Sequence, residues 1–363
     1  MNHTITEVTP GAITERVSVI DVREPAETAA DHIPDALLAP LDSLLVFVQE
    51  AFPDRDTRIV LYCASGERSR KGAQTLIDEG YKDVASLKGG FREWVSRSMP
   101  VAGGSTLSRY ARHLVIPEIG ANGQRALGEA SVAVLGAGGL GSPVSLYLAA
   151  AGVGRLSLID DDVVDETNLQ RQIIHDTPSI GEKKTDSAAR RLRDLNPDVD
   201  VVTVTKRLNA SNVKEILGGH DVVVDGADNF PTRYLLNDAS IHLSVPVVHG
   251  SIYRFEGQIS VFYPPHGPCY RCLFPAPPPP ELAPNCAEGG VIGALPGVIG
   301  SLQALETIKL ILGIGEPLVG RLMIHDVLSS EVTTINIQKD PECPACGSDQ
   351  PPELIDYDET CLR

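Results

Sequence analysis

Cys63 has the setting that most directly predicts covalent chemistry in this chain. It follows the apolar run 58–62 and opens the segment Cys63-Ala-Ser-Gly-Glu-Arg-Ser69, which leads into a helical pattern near Arg70. A thiol between a strand and a helix N-terminus lies among backbone N–H groups, which lower its pKa and favour the thiolate. Arg68 adds a positive charge at the far side of the loop. Buried structural cysteines are commoner, but the Cys-x4-Arg spacing favours a reactive thiolate.

A glycine turn, Gly136-Ala-Gly-Gly-Leu-Gly141, follows the apolar run 131–135 and opens a small-residue helix. Its glycines let the backbone approach phosphate oxygens, and the helix start offers free N–H groups and the positive end of its dipole. The next apolar strand ends at Asp160, where an acid would bond a ribose hydroxyl. Gly136, Gly138, Gly139 and Gly141 alone would favour a nicotinamide dinucleotide.

Charged residues elsewhere in the chain favour ATP over a nicotinamide. Arg171 and Lys184 follow the second strand, and Asp228 follows an apolar strand that ends at residue 225. Arg112, which precedes the glycine turn, could reach a phosphate. Hydride transfer needs no such set, whereas nucleotidyl transfer needs cations beside the phosphates and an acid for Mg²⁺. Each charge alone is commonly a solvated side chain, and the choice between Lys183 and Lys184 stays open.

Four of the seven cysteines form two Cys-x-x-Cys pairs, Cys269 with Cys272 and Cys343 with Cys346. Four thiolates suit tetrahedral Zn²⁺ and leave no position open for chemistry, so we predict a structural zinc site. A redox Cys-x-x-Cys would need only one pair. Cys286, at the end of a proline-rich segment, is either a further reactive thiol or a residue that only packs against its loop.

Composition sets the broad class of the protein. The chain has 363 residues and a net charge of −17, which predicts two domains and argues against direct binding of nucleic acid or an anionic membrane. Cysteine usage without a signal peptide predicts a reduced, cytoplasmic protein. The apolar segment 291–315 contains Glu306 and Lys309, so we expect a buried helix on a sheet and not a membrane span.

Strand and helix patterns divide the chain. Residues 1–100 predict an α/β domain with a parallel sheet, and residues 101–106 a linker. Residues 107–348 predict a Rossmann-like, doubly wound domain with a mixed sheet, because strand 258–262 follows a turn and should be antiparallel. Residues 349–363 form an acidic tail that we expect to be solvated.

Four motifs within residues 5–100 together resemble a rhodanese domain. In order, they are Ile20-Asp-Val-Arg-Glu24, His32-Ile33, the Cys63 loop and Leu87-Lys-Gly-Gly-Phe-Arg-Glu-Trp94. Asp31 departs from the family pattern, which usually has Gly there. The resemblance implies a sulfurtransferase in which Cys63 carries a persulfide, loaded by a donor such as a cysteine desulfurase or thiosulfate.

Residues 107–347 resemble the MoeB/ThiF family of adenylyltransferases, which are relatives of ubiquitin-activating enzymes. The resemblance rests on Arg109-Tyr-Ala-Arg112, the glycine turn, Asn168-Leu-Gln-Arg-Gln172, Asp228-Asn229, Gly257-Gln258 and both cysteine pairs. It implies a homodimer in which Arg112 acts across the interface as an arginine finger, and Mg²⁺ on Asp228. It implies ATP contacts at Gly139, Asp160, Asn168, Arg171, Lys184 and Asp228, and at the adjoining Asn229.

The resemblance also implies the substrate, the C-terminal Gly-Gly carboxylate of a ubiquitin-like sulfur-carrier protein. The carboxylate would attack the α-phosphate of ATP, the Cys63 persulfide would attack the acyl-adenylate, and Cys286 would release a thiocarboxylate. Molybdopterin, thiamine, cysteine and tRNA thiolation routes share this chemistry. Familiar fusions carry the rhodanese domain at the C-terminus, so delivery from Cys63 to a partner protomer is one hypothesis here.

Two alternatives stay open at this stage. One is a NAD-dependent oxidoreductase with an accessory rhodanese domain. The other is a scaffold that binds a ubiquitin-fold partner without catalysis, against which the intact Cys63, Arg171 and Asp228 count.

Overall fold

The computed structural model describes residues 5–13, 17–102, 109–276, 290–348 and 350–357. Contacts divide the chain into two compact units, Met1–Gln124 and Arg125–Arg363. Most of the predicted linker, most of the proline-rich segment and Cys286 lie outside the described residues.

The first unit is built on a five-stranded sheet. Its strands are β1 (Thr6–Val8), β2 (Ser18–Asp21), β3 (Leu37–Leu38), β4 (Ile59–Tyr62) and β5 (Val84–Leu87), and its helices are α1 (Pro25–Ala30), α2 (Leu44–Ala51), α3 (Glu67–Asp78), α4 (Gly90–Ser96) and α5 (Ala111–Leu114). The strand order is β1-β5-β4-β2-β3, and every neighbouring pair is parallel. The central strand β4 is buried along its whole length, which explains its continuous apolar run. The parallel sheet expected from the sequence is confirmed.

The second unit is built on an eight-stranded mixed sheet, also as expected. After α6 (Gly120–Glu129), its strands are β6 (Ser131–Leu135), β7 (Arg155–Ile159), β8 (Asp200–Val204), β9 (Val222–Asp225), β10 (Val247–Tyr253), β11 (Glu256–Phe262), β12 (Arg321–Asp326) and β13 (Glu331–Asn336), and its helices are α7 (Gly141–Ala151), α8 (Lys184–Leu195), α9 (Val213–Leu217), α10 (Phe230–Leu243), α11 (Tyr270–Leu273) and α12 (Leu295–Leu312). The order is β13-β12-β11-β10-β9-β6-β7-β8, with β10 to β8 parallel and β11 to β13 antiparallel.

This strand order creates a ligand-binding crevice. From β6 the chain moves outward to β7 and β8, and it then returns to β9 on the opposite side of β6. Such a reversal leaves an open crevice at the carboxyl ends of the two central strands, where ligands of doubly wound folds bind. The loops that follow β6 and β9 therefore face the same space.

Helix α12 is the one helix among the described residues that is long and apolar enough to cross a membrane by length and composition. It packs against α7, β10 and β11. Its polar residues Gln303, Glu306 and Thr307 are buried, and the amide of Gln303 donates to the backbone oxygens of Asp225 (2.8 Å) and Val248 (3.0 Å). The buried core helix expected from its charges is confirmed.

The described part of the acidic tail packs on the second unit. The Tyr357 hydroxyl lies 2.5 Å from a carboxylate oxygen of Asp238 and 2.5 Å from the Arg271 guanidinium. Leu354 packs against the hydrophobic core, while Glu353 stays exposed. The acids of residues 350–357, Glu353 and Asp356, are exposed, as the expectation of a solvated tail requires, whereas Leu354 and Tyr357 are partly buried because they have apolar groups to remove from water.

Candidate functional sites

The thiol of Cys63 lies at the carboxyl end of β4. Its Sγ accepts a hydrogen bond from Gly66 N at 3.1 Å and lies 3.7 Å from the Ser69 hydroxyl. Burial alone would raise the pKa of this thiol, but hydrogen bonds from Ser69, Ser65 and Gly66 outweigh burial and lower it. Helix α3 begins at Glu67, three residues before the sequence pattern indicated. The loop therefore supplies the donors that stabilise a thiolate.

A close backbone approach supports the Cys63 loop. The amide of Phe91 donates to Cys63 O at 2.8 Å. Gly90 has a φ of +61°, and a Cβ there would lie 2.2 Å from Cys63 O and 2.8 Å from the amide nitrogens of Ser65 and Gly66. Only glycine fits at this position, so the start of α4 and the reactive loop hold each other in place.

Other residues of the first unit's motifs have structural roles. Asp21 and Arg23 form a buried ion pair at 2.8 Å, and the Arg23 guanidinium lies 4.3 Å from the Phe91 ring centroid. Arg23 also donates to Asp31 O at 2.5 Å, and the Asp31 carboxylate lies 3.4 Å from it. The residue that departs from the family pattern thus adds a second acid beside Arg23.

The second site is a cleft of 360 Å³ at the crevice between β6 and β9, within the usual size of small-molecule pockets. Gly136, Gly138 and Gly139 line it, and Gly141 begins α7. A Cβ on Gly136 would lie 2.9 Å from Gly226 O, and a Cβ on Gly141 would lie 1.8 Å from Gly136 O. The glycine turn can fold back on itself, and against the loop after β9, only without side chains.

Asp160 lies at the carboxyl end of β7 and lines the cleft. Its carboxylate accepts from Ala137 N at 2.8 Å and from Asp162 N at 2.9 Å. Burial raises its pKa, and the charge of Lys184 partly offsets that effect. Of the two neighbouring lysines, Lys184 lines the cleft, buried at the start of α8 with its Nζ 2.8 Å from Asp162, whereas Lys183 occupies the N-cap position of that helix.

Arg171 also lines the cleft, and its guanidinium donates to Thr167 O at 3.0 Å. Asn168 ends a short 3₁₀ helix one turn earlier and is not among the described residues that line the cleft. Gln172 does line the cleft, and its buried Oε1 has no hydrogen-bond partner within the described part of the chain. Gln172 ends the motif Asn168-Leu-Gln-Arg-Gln172, and nothing in the motif alone assigns it a role.

Asp228 and Asn229 follow β9 and line the cleft from the side opposite β7. Asp228 is exposed, and one carboxylate oxygen accepts from the Asn229 amide at 3.2 Å. The Asn229 side chain also accepts from Thr232 N at 3.0 Å and so caps α10. Asn229 therefore joins the helix start to the carboxylate that faces the cleft.

A buried acid, Asp225, at the end of β9, contacts the backbone of the loop that carries Asp228. It accepts from Ala227 N at 2.9 Å and from His249 Nδ1 at 2.7 Å, while Arg233 donates to Ala227 O at 2.8 Å. Burial lowers the pKa of His249 and would raise that of Asp225, but His249, Arg233 and the amide together lower the Asp225 pKa. Sequence reasoning missed this cluster, because His249 and Arg233 belong to no recognised motif.

Two further cations, Lys206 and Arg207, line the cleft from the segment after β8. They were also missed, since a basic pair after a strand resembles an ordinary solvated surface. With Arg171, Lys184 and Arg233 they give the cleft five cations beside its acids. A polyanionic ligand matches this set better than a neutral one does.

The four paired cysteines come together as predicted. Their Sγ atoms all lie within 4.8 Å of one another. The distance is 3.5 Å from Cys269 to Cys343 and from Cys272 to Cys346, and 3.9 Å from Cys269 to Cys272. A tetrahedron with metal–sulfur distances of about 2.3 Å has sulfur–sulfur distances of about 3.8 Å. The cluster therefore has the size of a tetrahedral zinc site.

The roles of two predicted site residues, Arg112 and Cys286, stay predictions. Arg112 is exposed in α5 of the first unit, and its role across a dimer interface stays a prediction. Cys286 lies outside the described residues, so its role also stays a prediction.

Comparison with known families agrees with this geometry. The model of the ThiF family matches residues 110–345. The chain belongs to the ThiF family. The model of the rhodanese-like domain matches residues 7–97, so the first unit carries a rhodanese-like domain.

Relatives of this chain include one protein named as an adenylyltransferase and others named as adenylyltransferase and sulfurtransferase. It is 50% identical over 262 residues to the sulfur carrier protein adenylyltransferase of Thermus thermophilus, covering 70% of this chain and 96% of that protein. It is 46% identical over 291 residues to the adenylyltransferase and sulfurtransferase MOCS3 of Culex quinquefasciatus, covering 79% of this chain and 66% of that protein. Membership of this family supports the adenylyltransferase hypothesis and not the alternative of a NAD-dependent oxidoreductase.

Solved structures show the same fold for the second unit's family. A crystal structure of Escherichia coli MccB with MccA-N7isoASN is 25% identical and has a TM-score of 0.60, covering 66% of this chain and 75% of that one. A structure of MccB with ATP has a TM-score of 0.59 at 24% identity, covering 71% and 80%. At 24% identity, the structure of MccB with ATP supports only the similarity of fold.

Proposed function

We propose that this protein adenylylates the C-terminal Gly-Gly carboxylate of a ubiquitin-like sulfur-carrier protein and then transfers sulfur to it from Cys63. The observation that carries the proposal is the presence of two sites in one chain, a cation-lined cleft and a loop that stabilises a thiolate. The activities named for the relatives, adenylyltransferase and sulfurtransferase, support the same pair of reactions.

In the first reaction a carboxylate oxygen of the carrier attacks the α-phosphorus of ATP, and pyrophosphate leaves. Arg171 and Lys184 line the cleft, and their positive charges would offset the charge that develops on the phosphate oxygens. The backbone of the glycine turn accommodates the phosphates, and Asp160 keeps free lone pairs for a ribose hydroxyl. ATP contacts at Gly136, Gly138, Gly139 and Asn229 belong to the same proposal.

Two metal ions fit the residues present. Asp228 offers an exposed carboxylate, the ligand type that Mg²⁺ prefers, and Mg²⁺ there would neutralise and orient the phosphates. Cys269, Cys272, Cys343 and Cys346 would hold a structural Zn²⁺. Because the four sulfur atoms would fill all four positions of a tetrahedral ion, a Zn²⁺ held there would have no exchangeable position for substrate.

In the second reaction the terminal sulfur of the Cys63 persulfide attacks the carbonyl carbon of the acyl-adenylate, and AMP leaves. This gives an acyl disulfide between the carrier and Cys63. A second thiol, for which we propose Cys286, attacks the Cys63 sulfur and releases the carrier as a thiocarboxylate. An external dithiol then reduces the disulfide between the two cysteines.

The test is incubation of the full chain with ATP, Mg²⁺, a sulfur donor and each candidate Gly-Gly carrier. Mass spectrometry of the carrier should show a gain of about 16 Da, an oxygen replaced by sulfur in the acyl transfer. Asp228→Asn should abolish both carrier-dependent ATP–pyrophosphate exchange and this gain. Cys63→Ser should keep the exchange and lose the gain.

Other results would contradict the proposal. If no carrier gains mass, the sulfur-transfer step is wrong. Binding of a nicotinamide without carrier-dependent exchange would favour an oxidoreductase, and an Asp228→Asn variant that supports the pathway unchanged would favour a scaffold.

Delivery of sulfur within or between protomers is tested by mixing variants. Cys63→Ala protomers are mixed with Asp228→Ala protomers, neither of which should form thiocarboxylate alone. Activity in the mixture would support delivery to the partner protomer of a homodimer, and its absence would reject it.

A further inference from the structure

The charge of Arg68, beside the Cys63 loop, is paired with a glutamate from another helix. Arg68 Nη1 and Nη2 lie 2.7 and 2.8 Å from the two carboxylate oxygens of Glu27. Such a two-point contact fixes both the position and the plane of the guanidinium. The side chains are 32% and 37% exposed, so the pair lies at the rim of the loop, within reach of an incoming donor.

Glu27 is itself fixed. Its carboxylate accepts from Glu24 N at 3.1 Å in a capping box at the start of α1. In the same helix, the Thr28 hydroxyl donates to Asp21 at 2.9 Å and so ties α1 to the end of β2. The hydrogen bond from Arg68 lowers the pKa of Glu27, which is therefore ionised at neutral pH.

The amide of Gly66 and the hydroxyl of Ser69, which lie 3.1 and 3.7 Å from the Cys63 sulfur, are neutral groups. Arg68 is the positively charged residue of the loop, and it also interacts with this sulfur. The pKa of Arg68 is raised, mainly by Glu27 and further by Cys63. The guanidinium therefore interacts electrostatically with the Cys63 sulfur, while the carboxylate of Glu27 balances its positive charge. The other charged residue of the loop, Glu67, points into solvent toward Lys71.

We propose that Glu27 is a specificity-determining residue of the sulfur-loading step. By balancing the charge of Arg68, it favours neutral or monoanionic persulfide donors over the thiosulfate dianion. The inference rests on the proposed sulfurtransferase function and narrows its donor class.

Both loading reactions are balanced displacements at sulfur. With thiosulfate, the Cys63 thiolate attacks the outer sulfur, the sulfur–sulfur bond breaks, and sulfite leaves with the electron pair. With a persulfide R–S–SH, the thiolate attacks the terminal sulfur and the thiolate R–S⁻ leaves. The products are the same Cys63 persulfide, so the two donors differ at this loop chiefly in charge.

Removing the negative charge that balances Arg68 should therefore increase the loading rates of the two donors by different factors. Coulomb energy scales with the charge of the ligand, so the fold-change for a dianion is about the square of that for a monoanion. We expect Glu27→Gln to speed loading by thiosulfate roughly tenfold and loading by a monoanionic small-molecule persulfide roughly threefold. The thiosulfate-to-persulfide ratio should then rise roughly threefold.

The experiment measures single-turnover loading of Cys63 in the full chain, as a mass gain of about 32 Da, with thiosulfate and with cysteine persulfide. Glu27→Asp, which keeps the charge, should restore the parent ratio. Glu27→Gln introduced into an Arg68→Gln background should leave the ratio unchanged, because no charge remains to unmask. Asp56→Asn is the matched control, because Asp56 also forms an ion pair, with Lys82 at 2.7 Å. Asp56 precedes the amino end of β4, whereas Cys63 follows its carboxyl end.

The outcomes separate the two proposals. Equal changes for both donors in Glu27→Gln, or a fall with thiosulfate, would overturn the role of Glu27 while leaving sulfur transfer intact. A wild-type chain that gains sulfur from neither donor would overturn the proposed sulfurtransferase function, and with it this inference. Melting temperatures should change little, because half-exposed ion pairs contribute little to stability.

Discussion

Replacing Gly141 by alanine is expected to weaken ATP binding about 100-fold without unfolding the chain. The added Cβ would lie 1.8 Å from Gly136 O, whereas real Cβ contacts are 3.0 Å or longer. One side of the glycine turn must therefore move by about 1.2 Å. Gly136 also packs against Gly226, so the movement reaches both loops of the cleft. A misplacement of about 1 Å can cost a factor of about 100 in a positioned reaction.

The assay is calorimetric titration of ATP with Mg²⁺ into the full chain, and we expect Gly141→Ala to bind about 100-fold more weakly. Gly128→Ala is the control, because a Cβ there meets nothing within 4 Å and the residue is helical. It should bind ATP as the parent does and gain about 0.5–1 kcal/mol of stability. Sulfur loading of Cys63 should be unchanged in both variants. If Gly141→Ala binds ATP within threefold of the parent, the glycine turn does not set the phosphate contacts.

Three further predictions follow from the contacts of the two sites. Ser69→Ala removes a hydrogen bond that lowers the Cys63 pKa, so alkylation by iodoacetamide should slow about threefold at pH 7 and be unchanged at pH 10, where the thiol is ionised in both proteins; equal rates at pH 7 would contradict this. Cys272→Ser should reduce bound zinc, measured by mass spectrometry, from one ion per chain to near zero and lower Tm by about 10 °C or more, and an unchanged Tm would refute a structural role. His249→Asn removes the imidazole that supports the acid below the Asp228 loop. The kcat of carrier-dependent pyrophosphate exchange should then fall about tenfold, with KM for ATP changed less than threefold; a change confined to KM would contradict positioning of Asp228.

Residues next to each other in sequence were the ones that could be placed from sequence alone. The Cys63 loop, the glycine turn and the cysteine pairs each combine a short spacing with a strand end, and strand ends follow from apolar runs. Strand β13 was not expected, because all its residues are exposed and no buried face imposes an alternating pattern. Strand β3 has two residues, too few for any periodicity.

Pairs that are distant in sequence could not be found in this way. Glu27 and Arg68 are 41 residues apart, and Asp225 and His249 are 24 apart on neighbouring parallel strands. Their contact depends on the register of strands and on where helix α1 packs, and neither is encoded in a local motif. A buried histidine is also more often a satisfied core residue than a support for a site, so sequence gives no reason to select His249.

The 74 residues that separate Cys269 from Cys343 mean that the four-cysteine cluster cannot form until late in synthesis of the chain. At about 5–20 residues per second, the first pair waits about 4–15 s for the second. During that interval Cys269 and Cys272 are a lone dithiol on the growing chain, which can oxidise or take up a metal that does not fit. A longer delay holds for Tyr357, which follows Arg271 by 86 residues and Asp238 by 119 and whose hydroxyl contacts both. Arg271 lies between the two cysteines of the first pair. Protection of the early thiols until the late ones arrive is therefore a requirement that this fold places on the cell that makes it.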